Sequence, residues 1–440
     1  MKAAFSLGVY GLLTRWAKPL LRRKLHRRAK LEPLYGQFIE ERFGDYDSDQ
    51  LRRVNAFSNH GQWVWVHVVS LGETRTAGIL IKQLRATFPD LKLLLTHGTA
   101  TGREEGLKYL QPGDLQVWQP WDAVDVVHRF FKTFQPRVGL ILETEIWPNC
   151  VKAAAEFKVP LVLVNARMSE KSLQQAMKWS SLMKPAYAGL TAVLAQSEAD
   201  ASRLKRLGAK VQGVFGNLKF DAQPDLVQMT LGKAWRDLVD QPVVMLASSR
   251  EGEEALWLEA WQTCLQNAAS TKLLGMIVPR HPQRVDEVAA LIQAKGFKVI
   301  RRSSWGQGPL PLANIDAKTI VLGDSLGEMA LYYSFADVAM LGGSFEPLGG
   351  QNLIEAAACS CPIVMGPHTF NFTDAAASAE KEGAAFRAVT MLAGVQMSLA
   401  MASDAKALAH ASEQAQQFAR QHGGATQRTV AAVRDYCLLN

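Results

Sequence analysis

From Trp63 onward, short apolar runs alternate with amphipathic stretches, and the alternation restarts once, after Pro242. The first set of runs covers 63–69, 91–95, 115–118, 137–142, 160–164 and 191–195. The second covers 242–247, 272–278, 297–300, 319–323, 337–341 and 362–365. Such runs, separated by segments long enough to be helices, predict parallel strands buried on both faces and covered by crossover helices. The expected fold class is therefore α/β, with two doubly wound Rossmann-like domains joined near 217–242. Two halves of this kind, facing each other, bring the carboxyl ends of their strands to an interdomain cleft, the place where open α/β sheets bind ligands. A length of 440 residues is ample for two to three full-sized cores. The expected domains are 31–222 and 223–403, with a basic N-terminal helix over 1–30. Residues 404–440 read as a polar helical tail that could pack back on the first half, and 302–318 as an exposed loop.

The net charge of +8 is concentrated at one end. Residues 1–30 hold nine Lys and Arg and no acid, leaving 40 basic residues (49 less 9) against 41 acidic ones. The body is near neutral, and a nucleic-acid partner loses its support. The same segment opens with an apolar run over 3–13, whose helical length of about 16 Å falls short of the roughly 30 Å hydrocarbon core. No cleavage-site pattern follows it. A helix in the membrane interface, with Trp16 and the Arg/Lys cluster at anionic headgroups, fits this pattern, and a helix docked on the protein is the alternative. Either way, the positive-inside tendency keeps the following domain cytoplasmic. Five scattered cysteines, an odd number, point to a reducing compartment and give no metal-ligand spacing.

Chemistry is expected at the strand ends. The run at 337–341 leads into a glycine-rich loop, 342–350, and a helix-like segment that Asn352 could cap, a pattern that offers bare N–H groups to an anion. After 63–69 comes Ser70-Leu71-Gly72-Glu73. Glu73 stands at a helix start, either as a functional carboxylate or as one that steadies its own first turn. The hydroxyl-rich loop 96–102 suits phosphate, sugar hydroxyls or plain capping. After 137–142, Glu143 and Glu145 precede Trp147-Pro148, and two carboxylates at a buried strand end are costly unless used. Lys219 lies near the joint, where a lone lysine is ordinarily a solvated charge. In the second half, 248–254 is rich in acids, Arg280 suits bidentate phosphate or carboxylate recognition, and 324–328 makes another turn with free amides.

Taken in order, Ser70–Glu73, Glu143–Asn149, Asn165–Arg167, Gly216–Asp221, Pro279–Pro282, Gly323–Glu328, Gly342–Glu355 and Gly366–Phe372 closely resemble the 3-deoxy-D-manno-octulosonic acid (Kdo) transferases. The resemblance covers nearly the whole chain. It implies an inverting, metal-independent GT-B glycosyltransferase with no cofactor, using CMP-Kdo as donor and a lipid A precursor as acceptor. Carried over by residue, Glu73 is the implied catalytic base, and Glu143 and Lys219 are implied to stabilise the transition state. Pro279, Arg280, Leu326, Gly327, Glu328, Asn352, Leu353, Ile354 and Glu355 are the implied CMP-binding positions. The first half would then bind acceptor and the second CMP-sugar, at the cytoplasmic face of the inner membrane beside anionic lipid. Arg250 stands where the family usually has His, Gln351 replaces the His of Gly-Gly-His-Asn, and His97-Gly98-Thr99 replaces a denser Thr run. A GT-B enzyme using a UDP-sugar, a sugar-nucleotide epimerase of similar build and a non-catalytic lipid-binding relative are the rival readings.

Overall fold

The structure, a computed structural model, describes residues 2–56, 63–267, 273–306, 308, 315, 316 and 318–438. The chain forms two compact units, Met1–Asp221 with Gly423–Asn440, and Ala222–His422. Each is built on a seven-stranded sheet in which every pairing is parallel.

In the first unit the strands are β1 (Trp63–Val68), β2 (Lys92–His97), β3 (Leu115–Trp118), β4 (Val138–Leu142), β5 (Leu161–Ala166), β6 (Ala192–Ala195) and β7 (Val211–Val214). Their order is β3-β2-β1-β4-β5-β6-β7, so the direction of winding reverses between β1 and β4. Alternation along each strand feeds two cores. Trp63, Trp65, Leu94, Ile141 and Leu163 pack on one face. Val64, Val66, Leu95, Leu140 and Val164 pack on the other. A strand buried on both faces has no polar side, which is why these strands read as unbroken apolar runs.

The second unit contains β8 (Val243–Ser249), β9 (Leu274–Pro279), β10 (Lys298–Arg301), β11 (Thr319–Leu322), β12 (Val338–Leu341), β13 (Ile363–Met365) and β14 (Ala385–Arg387). The order is β10-β11-β9-β8-β12-β13-β14, with its reversal between β8 and β12. All twelve runs named from the sequence contain a strand. The two additional strands, β7 and β14, are edge strands. β7 is half exposed and carries Gln212 and Gly213, and β14 is three residues long, so neither shows as an apolar run. Part of the loop expected over 302–318 lies outside the described residues, as does Lys272 at the start of one expected strand; Arg302–Trp305 is a 3-10 turn.

The N-terminal segment is two helices, Lys2–Trp16 and Lys18–Ala29, with Pro19 in the first turn of the second. The first packs against the helices Pro148–Glu156 and Ser180–Ala188. It is pinned by Tyr10, whose hydroxyl donates to the buried Asp122, and by Trp121, whose Nε1 donates to Thr14 O at 2.7 Å. Among the described residues, no helix is long and apolar enough to cross a membrane. The tail is likewise two helices. Ala405–Gln421 stays with the second unit, packing on Leu353–Ala358, whereas Ala425–Leu438 packs on Leu71–Thr87 of the first.

Candidate active site

In the first unit the chemistry-bearing residues cluster where the strand order reverses. Glu73 lies in the first turn of helix Leu71–Thr87, directly after β1, and Glu143 follows β4, the neighbour of β1 in the sheet. Glu143 has φ 61°, in the left-handed region that a non-glycine residue enters at some cost, and so does Asn165 at the end of β5, with φ 52°. Both are held from several sides. Arg167 N–H donates to Glu143 O at 3.2 Å, and Leu218 N–H donates to Asn165 Oδ1 at 3.1 Å. The second contact sets the turn Leu218–Asp221, from which Lys219 reaches Glu143 with Nζ 3.5 Å from Oε1. Glu73, Glu143 and Lys219 therefore come together at one sheet position, although they lie far apart in sequence.

The Glu73 carboxylate accepts twice, from Val69 N–H at 2.8 Å and from Ser70 Oγ at 3.0 Å, while Ser70 Oγ caps the helix by accepting from Glu73 N–H. Burial raises the Glu73 pKa above the usual carboxylate range. The Val69 bond opposes this, the Glu143 charge adds to it, and Lys219 pulls back. Glu145, in the same loop, is pushed up to about 7, by burial first and by the Glu73 charge second. At neutral pH Glu145 thus keeps part of the proton that an exposed carboxylate would have lost. Beneath it, His67 and His97 are buried and held near 3 by that burial, so both are neutral. The loop at 96–102 is used for capping: Thr99 Oγ1 accepts from Gly102 N–H at 3.2 Å, starting helix Ala100–Gly106.

In the second unit, Arg280 follows β9, Leu326-Gly327-Glu328 follow β11, and Asn352 to Glu355 follow β12, all at carboxyl ends of the sheet. Arg280 is exposed and its Nε donates to Gln351 Oε1 at 3.1 Å, so the glutamine orients the guanidinium. Pro279, half-buried, closes β9. Asn352 caps Leu353–Ala358 by accepting from Ile354 N–H at 3.1 Å, and its Nδ2 donates to Glu355 Oε1 at 3.1 Å. The side chains of Leu353 and Ile354 are buried in the core, and the helix has six residues, so its dipole is shorter than the sequence pattern promises. Leu326 is 80% exposed, Gly327 has φ +86°, and Glu328 accepts from Arg302 Nη2 at 3.0 Å.

Sequence reasoning did not single out Glu253. It is fully buried, and its carboxylate accepts from Gly343 N–H at 2.6 Å, Phe345 N–H at 3.1 Å and Arg250 N–H at 2.9 Å. That one side chain shapes the glycine-rich loop after β12 at the second reversal point. The strand ends also approach closely there, since a Cβ on Gly342 would lie 2.2 Å from Ser248 O.

A family model described as 3-Deoxy-D-manno-octulosonic-acid transferase (kdotransferase) matches residues 37–222. A 3-deoxy-D-manno-octulosonic acid transferase of Bordetella pertussis is 43% identical over 438 residues, covering 98% of this chain and 99% of its own. One from Haemophilus influenzae is 32% identical over 348 residues, covering 78% of each chain. A crystal structure of a glycosyltransferase from Rickettsia africae superposes with a TM-score of 0.57 at 12% identity, covering 87% of this chain and all of that one, a likeness of fold.

Proposed function

The chain belongs to the 3-deoxy-D-manno-octulosonic acid (Kdo) transferase family of glycosyltransferases, and from that premise we propose that it moves Kdo from CMP-Kdo to an acylated lipid A precursor in lipopolysaccharide synthesis, with inversion and without a metal ion. The observation that carries the residue-level reading is the environment of Glu73: a partly desolvated carboxylate, fixed by Val69 and Ser70, at the reversal point of the first sheet. Each oxygen accepts one bond and keeps a second lone-pair position for an acceptor hydroxyl. The raised pKa makes it a better base than an exposed glutamate, provided it is ionised.

In the proposed step, the acceptor hydroxyl oxygen bonds to the anomeric carbon of Kdo. The bond from that carbon to the CMP phosphate oxygen breaks, its electron pair leaves on the phosphate, and Glu73 takes the hydroxyl proton. Because the departing phosphate needs little protonation, a carboxylate base suffices for an oxocarbenium-like transition state. Glu143 and Lys219 would hold the charge balance around that centre. Arg280, with the backbone amides following β11 and β12, would grip the CMP phosphate in the second unit. The proposed location is the cytoplasmic face of the inner membrane. It is supported by Arg15, Arg23, Lys24, Arg27 and Lys30, all exposed beside the exposed Trp16 and Leu20.

Incubation with CMP-Kdo and a tetraacylated lipid A precursor should give a product heavier by Kdo; transfer only from a UDP-sugar would overturn the donor assignment. Glu73→Gln should lower kcat by about 10² to 10⁴-fold, while thermal stabilisation by CMP persists. Retained turnover in that variant would remove Glu73 from the role of base.

A further inference from the structure

Helix Lys2–Trp16 is poorly covered by the protein it rests on. Thr14 is its buried residue, while Phe5 is 75% and Leu13 64% exposed. Beside it runs a groove of about 690 Å³, within the span of about 300–1,000 Å³ seen for ligand pockets. One wall is Phe5, Val9 and Leu13; the other is Trp179 and Met183, and Thr144 also lines it. Trp179 is itself 67% exposed, so large apolar groups face one another across open space. Ser6 Oγ and Ser181 Oγ, 2.9 Å apart, bridge the two walls.

We propose that this groove holds one fatty acyl chain of the acceptor, and that it is the element selecting acylated over deacylated acceptors; the inference rests on the proposed transfer to an acylated precursor. Three features commit it to that occupant. First, the groove is continuous with the acidic loop, because Thr144 stands between Glu143 and Glu145, and Tyr187, which also lines it, is pushed up to about 12 by burial and then by the Glu145 charge. A chain in the groove would therefore place its sugar headgroup at the carboxylates. Second, the lining is predominantly apolar, matching hydrocarbon rather than a sugar or nucleotide. Third, the helix that forms one wall leads into the exposed cations Arg15, Arg23, Lys24 and Arg27, which suit an anionic lipid surface at its mouth.

Because the chain leaves a micelle or bilayer that is already apolar, the gain is one of packing, not of full transfer from water, and its expected size is modest. The test compares kcat/KM for a tetraacylated precursor and its deacylated counterpart, at one detergent concentration, in the wild-type chain, Gln175→Trp and Val9→Asp. Gln175 lines the groove and is exposed, and Val9 is 40% exposed, so neither change burdens the core. The wild type should prefer the acylated acceptor, and both variants should reduce that ratio by about tenfold (about 1.4 kcal/mol). A merely structural role would lower both acceptors together and leave the ratio fixed, which would overturn the proposal. Equal use of both acceptors by the wild type would overturn it too, and would show the groove to be filled by bulk lipid or left to the helix. Transfer to neither acceptor would instead overturn the reading of the whole site.

Discussion

Val69, Ser70 and Glu73 show one set of atoms serving two ends. The Ser-x-x-Glu spacing closes the first turn of helix Leu71–Thr87, as a capping pair does, and the same bonds aim the carboxylate at the reversal point of the sheet. Its position was legible because a short polar signature follows an apolar run. Glu253 was not, because Glu251, Glu253 and Glu254 look alike in sequence and only the folded chain shows which one accepts three backbone N–H groups. Leu353 and Ile354 illustrate the converse: the resemblance implies them as CMP-binding positions, yet their side chains fill the core. Glu145 carries a prediction of its own. Its folded pKa of about 7 stands above an ordinary value of 4.5, so the folded chain holds this proton more tightly than the unfolded one. The stability it contributes is complete below about pH 4.5 and is lost as pH rises through about 7. Glu145→Gln should abolish that dependence and be the more stable protein above pH 7 in urea titrations across this window. Parallel curves for both proteins would disprove the shift.

At the level of elements, the central strands were evident because burial on two faces demands continuous apolar residues, whereas β7, interrupted by Gln212 and Gly213, and β14, three residues ending in Arg387, form no apolar run. The N-terminal segment read as a single helix, but the helix is interrupted at Ala17, and Pro19 lies in the first turn of the next one. That break separates an apolar helix from a cationic one. Arg22 and Arg28 of the second helix are engaged with Glu40 and Glu32, whereas Arg23 and Lys24 are exposed. If the second helix meets anionic lipid, replacing Arg23 and Lys24 by Gln should weaken binding to vesicles containing phosphatidylserine. At about 1 kcal/mol per charge, the loss is roughly 30-fold. The difference should shrink as salt rises, since screening acts within about 10 Å at 0.1 M. Salt-independent binding by both proteins in a sedimentation assay would assign the contact to apolar insertion alone.

Across the whole molecule, the chain leaves the first unit at Asp221, builds the second, and returns at Gly423 to finish the first. Asp221 marks both ends of this excursion, for its carboxylate accepts from Gly424 N–H and Thr426 N–H. The returning helix, Ala425–Leu438, contributes Val430, Val433 and Cys437 to the core beneath β1 and β4, and Arg137 Nη1 donates to Cys437 O at 2.7 Å. The first unit is consequently incomplete until helix Ala425–Leu438 has been made, whereas the second is continuous in sequence. Fully burying a valine is worth about 1.5–3 kcal/mol, so the two valines alone supply about 3–6 kcal/mol. That is a large share of the about 5–15 kcal/mol that keeps a domain folded. Deleting 423–440 should therefore lower the denaturant midpoint of the first unit, followed by hydrogen exchange in β1 and β4, and leave β8 and β12 protected as before. Equal loss of protection in both units would mean that they unfold together. No loss in either would mean that the returning helix is dispensable packing rather than the closing piece of the first core.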